Sequence, residues 1–437
     1  VQQQGAGVLG EHRHYRHFVL AVITFGGMLN ITDRLILSIM LEDIKRAFSL
    51  SDTEIGLITG FAFTVLYVVC GLPIAWLADR MSRPLIIAVS IASWSLMTAL
   101  CGAATGFWTF FLARMGVGIG ESGSGPAGTS LLTQTFKGHE LGRAMGIYFL
   151  GPTLGTAAGL ILGGVLAHAV GWRMTFFLLG VPGMLFALFV FFTVKEPGGR
   201  PIPPKVGLGE GLATWFAGIR ALCANRVFLA GSMAFGCMIV TGYGFATWLA
   251  AIMLRGFHVT TADVGFYLGL AFVLGGIPGP LLGGYLTDWL VQRDPRWRAW
   301  LPAIATLACL PLYLAALLST NFWTFLGLFS CGYLVFLVAQ APTVSLIQLA
   351  VRPDERAMAM AVAMIFNNLI GQALGLFLIG LASTSLTPTL GPQALTWALI
   401  GVSTAFAIPA AFFYLVAASS MERGPLKMMN GPDSSQA

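Results

Sequence analysis

Charge is what this sequence has least of. Only 10% of its 437 residues are Asp, Glu, Lys or Arg, where a water-soluble domain carries about 25%. A chain so short of charge cannot cover itself with a hydrated surface, so lipid must be the solvent for much of it. Cysteine is scarce as well: there are six, with no C-x-x-C pair and no metal-ligand spacing. They read as buried packing thiols, and no metal or other cofactor is expected. Histidine is kept to the edges. His12, His14 and His17 precede the first apolar run and read as a disordered, headgroup-facing segment rather than a metal cluster, and His139, His168 and His258 stand singly near the ends of runs. With no His deep in an apolar run, the nucleophile–base pair or metal site of a lipid-acting membrane enzyme is missing. No cleavable leader is visible, because residues 1–17 are polar and the first apolar run is long enough to span.

What is present is hydrophobicity: 57% of the residues and a mean hydropathy of +0.81. A helix needs about 20 apolar residues to cross a hydrocarbon core of ~30 Å. Twelve runs qualify, near 18–41, 54–78, 84–104, 107–134, 142–168, 173–194, 227–254, 263–287, 299–319, 322–350, 356–383 and 391–418. The 54 Gly and 21 Pro suit such helices, whose neighbours satisfy freed backbone groups and whose close packing needs small residues. Between spans 6 and 7 lies a linker, 195–226, opening on Lys195-Glu196-Pro197-Gly198-Gly199. Its second part predicts an amphipathic surface helix with Trp215, Phe216, Ile219 and Leu222 on one side. The reading is an all-α integral membrane protein: a six-helix bundle over 1–194, a cytoplasmic linker over 195–226, and a second bundle with a short tail over 227–437.

The net charge of +6 does not point to nucleic acid, because the basic residues sit in short loops between apolar runs. Of 24 Lys and Arg, 18 fall on the side of the N-terminus and four (Lys45, Arg46, Arg173, Arg255) on the other, with Arg34 and Arg114 inside spans. That bias predicts both termini in the cytoplasm of a cell with this protein in its plasma or inner membrane.

The two halves echo each other. Ala75-Trp76-Leu77-Ala78-Asp79-Arg80-Met81-Ser82-Arg83 follows span 2, and Gly284-Tyr285-Leu286-Thr287-Asp288 follows span 8. Arg143-Ala144-Met145-Gly146 and Arg356-Ala357-Met358-Ala359 open the fifth span of each half. Two parallel repeats joined by a linker resemble a major facilitator transporter. Residues 75–83 resemble that superfamily's G-x-L-a-D-R-x-G-R signature, with Ala75 and Ser82 in the glycine places. The resemblance implies a conformational gate of Asp79, Arg80, Arg83, Arg143, Asp288 and Arg356, operating by ion pairs across the halves. Gly171-Trp172-Arg173 is a further superfamily feature, and Gly151-Pro152-x-x-Gly155-x-x-x-Gly159-x-x-x-Gly163 resembles an antiporter motif but equally permits close helix packing.

Two pieces narrow the match. Asn30-Ile31-Thr32-Asp33-Arg34 in span 1 has the N-x-x-D-R form of several anion-transporting branches. Arg114-Met115-Gly116-Val117-Gly118-Ile119-Gly120-Glu121-Ser122 in span 4 resembles the spinster-type branch. Spinster-type carriers move lysophospholipids and phosphorylated sphingoid lipids in eukaryotes, and the short loops here look bacterial. The resemblance implies alternating access by a monomer.

Ionisable groups within a span are costly and mark function. Asp33 and Arg34, with Arg114 and Glu121, occupy one layer near the midplane, the last two about 10.5 Å apart on one helix face. The expectation is a proton-coupled site, with Glu121 first and Asp33 second as proton carriers and Arg34 and Arg114 as anion-binding cations. A static salt-bridge network is the competing reading. The resemblance puts spans 1, 4, 7 and 10 around the substrate path. There the second half offers Thr241, Tyr243, Thr247, Trp248, Tyr333 and Gln340, with Asn367, Asn368 and Gln372 in span 11 as further polar groups. Charge on one side and apolar surface on the other suit an amphipathic solute with an anionic head. A small organic anion or sugar acid is the alternative solute, and a channel would not need the duplicated Asp79 and Asp288.

Overall fold

The computed structural model describes residues 2–78, 81–136, 139–196, 208–257, 259–353 and 355–421. Among them there is helix and no strand. Nine helical runs of the described residues are long and apolar enough to cross a membrane. Two of them, Glu140–Thr193 and Met358–Ser419, each carry two spans through a turn. The span holding Arg114 and Glu121 falls outside that set because it is broken into two shorter helices. With these taken apart, the twelve spans of the sequence stand as helices.

Numbered by span, α1 is Gln2–Phe48, α2 covers 52–78, and α3 is Arg83–Gly102. The fourth is split into α4a (Phe107–Glu121) and α4b (Ser124–Thr135). Next, α5 and α6 share His139–Thr193 and part at Gly171. After the linker helix, Leu208–Ala224, come α7 (Arg226–Gly256) and α8 (Thr261–Gly276 and Pro278–Val291). Then follow α9 (Trp297–Leu317) and α10 (Phe322–Val338 and Gln340–Leu349). Last are α11 over 356–390 and α12 (Ala394–Ser419). The histidine-bearing N-terminal stretch continues α1 as helix from Gln2, where the sequence suggested disorder, and His17 packs edge-on against Phe136.

The breaks have local causes. Glu121-Ser122-Gly123-Ser124-Gly125-Pro126 stops α4a, since Pro126 lacks an N–H and crowds the preceding turn. Pro342 interrupts α10 in the same way after Val338. Gly171 takes φ +77°, a left-handed conformation that glycine adopts without a Cβ penalty, and so turns the chain between α5 and α6. Beside it Arg173 donates to the carbonyls of Gly102 (3.1 Å) and Ala104 (2.5 Å), capping the end of α3. The Gly-Trp-Arg feature is thus a turn and a helix cap. The Gly151 stripe has an equally plain basis. A Cβ at Gly151, Gly155 or Gly159 would strike the backbone oxygens of Thr24, Met28 and Thr32 in turn, so α5 lies directly on the α1 backbone.

Packing groups the chain into two compact units. The first comprises 1–211, 242–273 and 368–402, so it holds α1 to α6 together with the ends of α7, α8, α11 and α12 remote from the linker. The second comprises 212–241, 274–367 and 403–437. In that second unit the linker helix is held on protein as well as at the surface. Leu222 is buried, a Cβ at Gly218 would meet Met358, and Asn225 Nδ2 donates to the carbonyl of Ala350 at 2.7 Å. Asn225 Oδ1 also caps α7 through the N–H groups of Val227 and Phe228.

Candidate functional site in the first unit

The four charges within the spans form two crossed pairs between α1 and α4a. Arg34 Nε donates to Glu121 Oε2 at 2.6 Å. Arg114 reaches Asp33 Oδ2 at 3.4 Å, and Thr98 Oγ1 of α3 donates to Asp33 Oδ1 at 2.6 Å. The side chains of Glu121, Arg114 and Asp33 are 0%, 3% and 6% exposed, and that of Arg34 is 15% exposed. Arg34 is therefore the member with most access to a solute. Both guanidiniums lie over one ring, Phe63 of α2, at 4.5 and 5.8 Å from its centre, and Arg34 also over Tyr67 at 4.9 Å. A desolvated cation over an aromatic face gains about 2 kcal/mol.

Glycine makes the cluster possible. A Cβ at Gly118 would strike the Phe63 carbonyl oxygen, and one at Gly120 would sit 2.5 Å from the Trp94 nitrogen. The run Gly118-Ile119-Gly120 therefore lets α4a press onto α2 and α3 at once, which carries Glu121 to Arg34. The α4 break leaves Glu121 at the last turn of its helix. Its Oε1 is buried without a hydrogen-bond partner among the described residues, a costly arrangement for a carboxylate that serves only to hold helices together.

From the second half of the sequence, Tyr243 comes within electrostatic reach of Arg34. Trp248 of the same helix is 1% exposed with an indole N–H that has no acceptor, and Thr247 is half-buried. In the second unit Tyr333 stacks between Phe329 and Phe336, Gln340 opens the later part of α10, and Asn367 is buried at the start of a π-helical turn. Of the residues expected to form a gate, Asp79 and Arg80 lie outside the described residues. Arg83 is bound within the first half: its backbone N–H and Nη1 donate to the Glu196 carboxylate (2.7 and 2.5 Å) and its Nε to Ser130 (2.8 Å). Arg143 and Asp288 are exposed, and Arg356 Nε donates to the Gln348 carbonyl at 3.2 Å.

At the side away from the linker a second ionic cluster joins α1, α2, α7 and α11. Arg255 grips Asp52 through Nη1 (3.0 Å) and Nη2 (2.8 Å), and Glu42 Oε1 through Nε (2.8 Å) and Nη2 (2.6 Å). Asp52 accepts two more bonds, from Lys45 Nζ (2.5 Å) and Ser383 Oγ (2.6 Å). Thr53 adds a hydroxyl pair with Thr384 at 2.9 Å. Glycine contacts flank this clasp on both sides. A Cβ at Gly60 would sit 2.7 Å from the Ala373 oxygen of α11, and one at Gly164 of α5 would sit 2.6 Å from the Thr261 oxygen of α8.

The family model described as Major Facilitator Superfamily matches residues 23–376. The chain belongs to that superfamily. It is accordingly a multi-pass membrane transporter of a small solute and not an enzyme. Among its relatives is an MFS-type efflux pump of Mycolicibacterium smegmatis, 32% identical over 404 residues, which cover 92% of this chain and 93% of that one. A probable L-galactonate transporter of Escherichia coli is 28% identical over 281 residues, 62% of each chain. Among solved structures, a bacterial homolog to the human lysosomal transporter Spinster, in an inward-facing and unoccupied conformation, superposes with a TM-score of 0.83. It is 27% identical, with 93% of this chain and 97% of that chain covered.

In a major facilitator protein the Arg255 clasp takes on a meaning the sequence did not reveal. Glu42, Asp52, Lys45 and Arg255 sit at the ends of apolar runs, where charges are ordinary and say nothing alone. The one available signal was compositional. Four basic residues stand on that side, and four acids, Glu42, Asp43, Asp52 and Glu54, flank the first turn there.

Proposed function

We propose that this chain is a proton-coupled carrier that works by alternating access and moves an amphipathic anionic solute, such as a lysophospholipid or a sphingosine-phosphate-like lipid. It works as a monomer in the plasma or inner membrane, with both termini cytoplasmic. The observation that carries the reading is the Arg34–Glu121 pair: a buried carboxylate holding, through one oxygen, the most accessible cation of the site. A proton on Glu121 removes the charge that Arg34 is paired with and frees the guanidinium for an anionic headgroup. The anion is then bound in the same state as the proton. Asp33 and Arg114 form the second, more deeply buried pair and stand behind the first as carrier and anion site. Tyr243, Thr247 and Trp248 of the first unit are the further proposed solute-binding groups there, and Tyr333, Gln340 and Asn367 are those proposed on the second unit. Asp79, Arg80, Arg83, Arg143, Asp288 and Arg356 gate the cytoplasmic side.

A second reading, a carrier of small organic anions or sugar acids, is favoured by the likeness to the probable L-galactonate transporter. Flux into proteoliposomes under an imposed pH gradient, with a labelled lysophospholipid and a labelled sugar acid, separates the two. Lysolipid uptake that loses its dependence on the pH gradient in Glu121→Gln is the expected result. Sugar-acid uptake alone would overturn the lipid assignment, and unchanged coupling in the variant would remove Glu121 from the proton role.

A further inference from the structure

Behind Glu121, inside the first six-helix bundle, is a cavity of about 80 Å³. Its polar lining is Asn30 of α1, Tyr67 of α2, Ser124 of α4b, Tyr148 of α5 and Glu121 itself. All of these belong to the first unit. The lining has a direction. On α1 it runs from Ile31 back to Val22, and Val22 lies twelve residues before Arg34, about 18 Å along the helix axis. On α4 it runs on from Glu121 to Gly125, and on α3 it steps from Trp94, past the middle of that helix, back through Ile91 to Ile87 near its start. Every one of these steps leads from Glu121 toward the side of the linker. A water site needs about 10–15 Å³ and two to four polar partners, so the space suits on the order of five waters. The carboxylate at its end retains a buried oxygen with no partner.

We propose that this chamber is an aqueous proton route that connects Glu121 to the linker side through the interior of one bundle, apart from the path of the solute. The inference deepens the proton-carrier reading of Glu121 and rests on it. The proton passes as an excess charge along waters held by the Ser124 hydroxyl, the Asn30 amide and the phenols of Tyr67 and Tyr148, and ends on Glu121 Oε1. No covalent bond other than O–H is made or broken. The charged groups that face this carboxylate are Arg34 on its other oxygen, with Asp33 and Arg114 in the pair alongside. Tyr67 and Tyr148 are the titratable groups in the chamber wall. A separate route has a functional advantage: the proton can reach its site while a bulky solute occupies the central path.

The test uses the purified full chain and needs no solute. Infrared difference spectroscopy after a pH jump follows the protonated carboxyl band, assigned to Glu121 by its loss in Glu121→Gln. A Cβ at Gly125 meets nothing within 4 Å, so Gly125→Leu fills the chamber without displacing backbone. Asn30→Leu removes a polar station at nearly constant volume and decides the matter should the first variant fail to fold. Gly146→Leu is the control, since Gly146 is exposed and also has open space at its Cβ. The expected result is a protonation rate at least tenfold slower in Gly125→Leu and Asn30→Leu, with unchanged final amplitude, and a wild-type rate in Gly146→Leu. Wild-type rates in both chamber variants would overturn the route and leave Glu121 as carrier. A band assignable to Glu121 at no pH would overturn the carrier reading and this inference with it.

Discussion

At the scale of single residues, the two crossed ion pairs differ in what they can do. Asp33 is held by Arg114 and Thr98, and its side chain is buried. Among the described residues, the Glu121 carboxylate is held by Arg34 alone and keeps one oxygen unused. Removing one member of a buried pair leaves an uncompensated charge and costs about 3–5 kcal/mol. Arg34→Ala should therefore lower the melting temperature of the purified protein, and Arg34→Ala with Glu121→Gln should recover most of the loss. A thermal-shift series on the two single variants and the double variant checks the coupling. An additive result would mean that the two side chains do not depend on each other. The sequence disclosed that these four residues share a layer, because depth along a helix is countable. It could not disclose which cation takes which anion. That is decided by how far Gly118 and Gly120 let α4a sink against Phe63 and Trp94, and a glycine in a sequence does not name the backbone it will touch.

At the scale of helices, the breaks repeat between the halves. Pro126 follows Glu121 by five residues, and Pro342 follows Leu337 by five. The α10 counterpart of the Glu121 position is thus an apolar residue, and Gln340 matches Ser124. One kinked helix thus carries a carboxylate five residues before its proline, and the other carries a leucine there. The spans and the linker were legible because hydropathy is local. Among the residues expected to form a gate, Arg83 was legible as a position but not as a partner: it pairs with Glu196, within the first half. The backbone contacts between α2 and α11 and between α5 and α8 were not legible, since the π-helical turns at Leu57–Ala62 and Asn367–Leu374 that carry one of them leave no pattern in composition. Two substitutions test these contacts. Gly60→Leu should hold α2 off α11 and Gly164→Leu should hold α5 off α8, each lowering transport at least tenfold. A cysteine placed at Thr384 should become more reactive toward a membrane-impermeant thiol reagent in either variant. Unchanged labelling and flux would make these glycines mere packing.

At the scale of the whole molecule, orientation and closure go together. The excess of Lys and Arg on the side of the N-terminus predicts that a fluorescent protein fused to either end is bright, and that alkaline phosphatase fused there is inactive. The reverse pattern would invert the topology. The clasp of Arg255 on Glu42 and Asp52 lies on the opposite side, away from the linker. Arg255→Ala should expose that side, raising reagent access to a cysteine at Ser383 and lowering uptake, whereas Arg255→Lys should restore only part of either, because an ammonium cannot reproduce the forked grip. Asp52 also sets a thermal character for the cycle. Four donors, from the end of α1, from α7 and from α11, meet on its two oxygens. Losing all of them strands a carboxylate that is 3% exposed. In the proposed cycle, opening that side breaks all four bonds, so the step is expected to carry a large activation enthalpy. The turnover of this carrier should fall steeply as the membrane cools, well before the lipid itself becomes stiff.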